Sequence, residues 1–140
     1  MDKKKAIAAL VNQSEHKVVT IWAADCAERV LSYFEEKYPQ DLRPRKAIEA
    51  GRSWVRGELK MTEARKAAFA SHAAARAAEQ DAEACAAARA AGHAAATAHV
   101  ASHAVHAAAY ALVAVSDASD SIAKERDWQY QHLLELGAKL

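Results

Sequence analysis

Between Glu63 and Ser116 half of the residues are alanine, and the later part of that stretch, Ala90 to Ser116, carries no Asp, Glu, Lys or Arg. Alanine is the best helix former, because its side chain loses no rotamer freedom and competes with no backbone hydrogen bond. A methyl group gains only about 0.8 kcal/mol on burial. Faces built from methyls therefore have to pack closely, near the short end of the usual interaxial range of about 8 to 10 Å. With four glycines and two prolines in 140 residues, and no strand-like alternation, the chain is expected to be all-α. The architecture that follows is a compact bundle of six or seven helices with the Ala-rich helices inside, forming a single domain over residues 1–140. Bulk comes from Trp22, Tyr33, Phe34, Trp54, Phe69, Tyr110, Trp128 and the closing segment HLLEL.

The helix boundaries are read from caps and breakers. A short first helix follows Asp2. A second runs from near Ser14 to Tyr38, where Pro39 ends it, and Val19, Trp22, Cys26, Val30 and Phe34 form its buried stripe at three- and four-residue steps. Pro44 suits the first turn of a third helix, which buries Ala47, Ile48, Gly51, Trp54 and Val55 and is closed by Gly57. Thr62 is the expected cap of a fourth helix reaching about Gln80, and Asp81 that of a fifth over Ala82 to Ala98. Ser102 could cap a sixth helix through Val115. After the turn SDASDS comes a last helix, Ile122 to Leu136, stopped by Gly137.

Composition excludes several classes. Met1 to Lys60 holds 12 Lys and Arg against 9 Asp and Glu, and Met61 to Leu140 holds 7 against 9, so no strongly basic footprint of a nucleic-acid binder exists. The uncharged run contains four histidines. Alanine is nearly neutral on membrane insertion and histidine resists it, so a membrane span is not expected. Cys26 and Cys85 have no CxxC or finger-like spacing and read as reduced, small, buried side chains of a cytoplasmic protein.

On one unbroken helix, His99, His103 and His106 would fall at i, i+4 and i+7, with Tyr110 and Asp117 continuing the stripe. Such a row could bind a borderline metal. Neither HExxH nor the ExxH of di-iron bundles is present, however, and a helix starting at Ser102 would place His99 on another axis. The expectation is a buried polar cluster of Asp25, His99, His103 and Tyr110, with neutral imidazoles and no cofactor or metal. His72 with Arg76, and Arg89 with His93, share helix faces and read as solvated or hydrogen-bonded.

No serine or cysteine sits in a nucleophile context, so no enzyme activity is expected. Asp25 and Arg29, four apart, read as a helix ion pair. The clearest charge pattern is in the third helix, where Arg45, Glu49, Arg52 and Arg56 lie at steps of four, three and four, with Arg43, Lys46 and Lys60 adding local excess. This is either a solvated, salt-bridged face or a docking face for an acidic partner, with Arg45, Arg52 and Arg56 gripping carboxylates and Trp54 as apolar anchor.

The stretches WAADCAERVLSYFEEKYPQDLRPRKAIEAGRSWVRGE, EARKAAFASHAAARAA and AARAAGHAAATAHVASHAVHAAAYA resemble a family of small, all-helical bacterial proteins described as putative immunity proteins, over roughly Trp22 to Ala111. The resemblance implies a protein partner, a cognate toxin, neutralised by occlusion without chemistry. It carries no set of functional residues onto this chain. The alternative from the residues alone is a small-ligand- or metal-binding bundle using Asp25, His99, His103, His106 and Tyr110.

Overall fold

The computed structural model describes residues 2–116 and 119–139. These form α1 (Lys3–Gln13), α2 (His16–Glu28), α3 (Ser32–Glu35), α4 (Arg43–Val55), α5 (Met61–Ala77), α6 (Ala82–Ala96), α7 (His103–Ala114) and α8 (Ser119–Lys139), with no strand among the described residues. Seven of these helices have 11 to 21 residues, and α3 is a single turn of 4. None is long and apolar enough to cross a membrane.

The centre of the bundle is α6, which packs against α2, α3, α4, α5 and α7. A helix surrounded on that many sides keeps only a narrow, partly exposed stripe, at Ala82, Cys85, Arg89 and His93. Nine of its alanines and Gly92 are buried, and methyl-sized side chains are what let so many axes approach it. The larger groups sit one layer out: Trp22 and Phe34 from the first third of the chain and Leu133 from α8 are among the largest fully buried side chains. The stripe read from sequence, Val19, Trp22, Cys26, Val30 and Phe34, is buried throughout.

The helix carrying that stripe is not continuous to Tyr38. The amides of Val30 and Leu31 bond the carbonyls three residues back, at Ala27 and Glu28, a tighter winding that ends α2 and turns the chain into α3. Arg29, at this break, does not pair with Asp25. It forms a two-pronged ion pair with Glu125, at 2.7 and 3.0 Å, and lies 4.0 Å over the Trp128 ring. Glu125 is 8% exposed, so this pair fixes α8 against α2. Beside it the Trp22 indole donates to the Gln129 carbonyl at 2.8 Å, and the buried Gln129 amide donates to Ala108 O at 2.9 Å, tying α2, α8 and α7 together.

Several caps differ from expectation. Lys60, not Thr62, occupies the N-cap of α5, and the side chains of Asp81 and Ser102 make no capping bond although both stand at N-cap positions. Asp81 instead meets Lys37 at 3.2 Å. Helix α5 ends at Ala77 rather than near Gln80, and α6 at Ala96 rather than Ala98. Helix α8 starts at Ser119, takes in the end of SDASDS and runs through Gly137; Asp117 and Ala118 lie outside the described residues. Gly57, at φ 75°, ends α4 in the left-handed region where only glycine is unstrained. Phe69 is 59% exposed, because it points away from the α5–α6 contact. Trp54, Val55 and Cys85 are half-buried rather than buried.

One glycine positions a candidate functional residue. A Cβ at Gly92 would lie 2.6 to 2.8 Å from the His72 ring atoms, so the imidazole of α5 occupies the space a side chain on α6 would fill. In a helix interior Gly→Ala ordinarily gains about 1 kcal/mol. Here Gly92→Ala is expected to lose that gain or reverse it, because His72 must leave its seat. In a His72→Ala background the full gain should return. Urea unfolding of the four-member cycle checks this; equal effects in both backgrounds would separate Gly92 from His72.

Candidate functional site

Three groups of polar side chains occupy different parts of the bundle. On α4, every arginine of the expected docking face already has a carboxylate from its own chain. Arg45 meets both Glu35 oxygens at 2.7 and 2.6 Å, Arg52 meets Asp25 at 2.8 Å and Glu28 at 3.2 Å, and Arg56 meets Glu58 at 2.7 Å. Trp54 is half-buried and its ring stands 4.7 Å from that of His16. His16 in turn donates from Nε2 to the Thr97 carbonyl at 2.6 Å, satisfying an orphan acceptor at the end of α6. The α4 face is thus a set of internal ion pairs, with Trp54 covering the His16 cap.

Asp25 belongs to a second group. Its two oxygens accept from Arg52 Nη1 at 2.8 Å and His132 Nε2 at 2.7 Å, and His132 stacks on Trp128 at 4.6 Å. This joins α2, α4 and α8, so Asp25 is not part of the histidine cluster. The neighbouring Cys26 thiol is fully enclosed. Burial foremost, then the Asp25 charge, hold its pKa well above the ordinary thiol value, so it stays protonated and unreactive.

The third group is the histidine cluster, and it differs from the expected row. Because α7 starts at His103, His99 lies in the connection before it, exposed, with Nδ1 at 3.0 Å from Met61 Sδ. His103, His106 and Tyr110 do share α7, but what they gather around is His93 of α6. The Nδ1 atoms of His93 and His103 are 2.9 Å apart, so one ring donates and the other accepts. Tyr110 stacks on His93 at 5.4 Å and 7°, His106 stands 5.2 Å away, and His72 of α5 meets the same ring edge-on at 4.8 Å. His93 is the hub the sequence reading left on an arginine-bearing face. The signal available was its place in the uncharged run, one helical turn before Thr97. Among the described residues no three His, Cys, Asp or Glu side chains converge as a metal-ligand set.

Electrostatics favour the neutral ring at His93, His103 and His72. Desolvation first, then the neighbouring histidines, lower the His93 pKa to about 3. The same leading cause lowers His103 and His72, the latter helped by Arg89. The buried Nδ1 of His72 has no hydrogen-bond partner. Beside His72 and His103 opens a cleft of about 330 Å³, walled also by Arg65, Phe69, Ala96 and His99. It can accept a side chain from outside, lined by imidazoles, an aromatic face and a guanidinium.

Since the folded-state pKa values lie below the model value of 6.5, the unfolded chain binds these protons more readily. Stability is therefore complete above about pH 6.5 and falls as acid is added below it. His103→Gln and His93→Gln remove a titrating ring while keeping a hydrogen-bonding group. Each should shrink the acid-side loss in urea unfolding between about pH 7.5 and 5.5. A His103→Gln profile parallel to wild type would mean an unshifted His103.

A family described as Imm-5 like putative immunity protein matches residues 9–136. The match extends beyond Trp22 to Ala111 in both directions, taking in the end of α1 and most of α8. No curated protein and no solved structure matches the chain.

Proposed function

The chain belongs to the Imm-5 like putative immunity protein family, and on that ground we propose that it is an immunity protein that binds a cognate bacterial toxin in the cytoplasm and blocks it by occlusion. The family match over residues 9–136 carries this reading. Two features of the structure support binding without chemistry. The Cys26 thiol is enclosed and protonated, and the imidazoles of the central cluster face one another rather than a carboxylate that would orient a general base. The methyl-packed interior supplies a rigid body, so little ordering entropy is spent on association.

Co-expression with the product of each reading frame that neighbours the chain's own, screened first for toxicity, tests the proposal. Cells carrying both should grow under toxin induction, and the purified proteins should elute as one complex of fixed stoichiometry with the toxin's intact mass unchanged. Growth rescue accompanied by a covalently altered toxin, with no complex, would make the chain an enzyme and overturn occlusion.

A further inference from the structure

The α5 helix repeats the step pattern of the α4 charged face, but with a different outcome. Arg65, Phe69, His72 and Arg76 follow one another at four, three and four residues, which places them within about 60° on one helix face. On α4 the same spacing yields arginines closed by Glu35, Asp25, Glu28 and Glu58. On α5, neither Arg65 nor Arg76 has a carboxylate within ion-pair distance among the described residues, nor does Arg89 of α6, whose charge reaches His72. Lys4, Lys5, Lys17, Lys46, Lys60 and Arg126 also lack an ion-pair partner among the described residues, but on α5 the open guanidinium groups of Arg65 and Arg76 flank an exposed aromatic ring on one helix face.

Apolar groups are exposed at the same place. Phe69 lies under the Arg65 guanidinium, 5.4 Å from its ring centre, and Met61, Phe69 and Val100 are three of the six large hydrophobics left open to solvent among the described residues. Met61 reaches the α6–α7 connection through His99, and that connection and α5 enclose the cleft of about 330 Å³. Against its wall stands His72, with its buried unpartnered Nδ1 and the space cleared for it by Gly92. Exposed aromatic and arginine side chains around a pocket are the composition of an interface hot spot.

We propose that this α5 face, with its cleft, is the surface that receives the toxin, and that the segment it receives is acidic and carries an apolar side chain. The proposal rests on the immunity reading for the identity of the partner, while the surface chemistry stands independently. Carboxylates of the incoming segment meet the guanidinium groups of Arg65 and Arg76, which offer planar two-pronged donors without an internal competitor. Its apolar side chain lies on Phe69 and enters the cleft. Unpaired arginines at the rim also speed encounter with an acidic partner, an advantage screened beyond about 8 Å at physiological salt.

The probe is an acetylated Glu-Glu-Trp-Glu-Glu amide peptide, titrated into the full chain while the His72 and His99 ring resonances are followed by NMR. Both rings should shift, and affinity should fall with added salt. Arg65→Glu with Arg76→Glu, at exposed sites, should weaken binding by about tenfold or more, Phe69→Ser should weaken it with the charge intact, and Arg45→Glu with Arg56→Glu should leave it within about twofold. Arg65→Gln with Arg76→Gln replaces the reversal should circular dichroism show lost helicity. No binding to wild type, or loss caused by the α4 pair instead, overturns the surface. In the co-expression assay, protection by wild type that survives the α5 reversal also overturns the surface while leaving the immunity reading intact. Absence of protection by wild type overturns that reading alone, since the peptide titration still reports on the surface.

Discussion

Everything in this bundle depends on how closely helix axes can approach α6. With Ala87, Ala88, Ala90, Ala91, Ala94 and Ala95 fully enclosed, the central helix presents methyl groups to every helix packed against it. Dispersion between many closely spaced backbone and methyl atoms replaces the interlocking of large side chains. Such an interior tolerates little enlargement: one extra branched side chain at Ala91 would have to displace a neighbouring helix, where overpacking costs about 1 to 3 kcal/mol even in ordinary cores. The aromatic residues lie outside that inner layer because it has no room for them.

The outer layer is held by polar contacts of high specificity. Helix α8 reaches α2 through Glu125 with Arg29 and through Gln129 with the Trp22 indole. Its His132 meets Asp25, which also holds Arg52 of α4. Breaking one partner of the half-buried pair would leave Glu125 charged and enclosed, a larger loss than forming the pair gains. The Asp25 group and the histidine cluster therefore have distinct duties, one fastening helices and the other bordering an open cleft.

Helix content, the α2 stripe and the break before His103 were legible because each follows from local chemistry: periodicity, propensity and turn-forming residues. What was not legible required long-range partners. Arg29 pairs with Glu125, 96 residues away, and Asp25 was expected beside Arg29 for want of any sign of Arg52 and His132. His93 became the hub through α6–α7 packing, which no spacing within one helix encodes. Phe69 counts as core on hydrophobicity alone; its exposure is set by which face of α5 meets α6. Gly137 reads as a helix stop, yet a glycine inside a helix costs about 1 kcal/mol and the surrounding turns of α8 outweigh it.

The hydrogen bond from His16 to Thr97 spans 81 residues and closes the far end of the helix on which the others rest. During synthesis, α2, α4 and α5 all leave the ribosome before the helix that will fill the space between them. At about 5 to 20 residues per second, roughly 4 to 16 s separate the synthesis of His16, at the start of α2, from that of Ala96, at the end of α6. Until then the apolar stripe of α2 has no interior to join, and Trp22 lacks the α8 carbonyl its indole will bond. The architecture thus postpones assembly until α6 has been made, leaving the earlier helices to chaperones or to one another in the meantime.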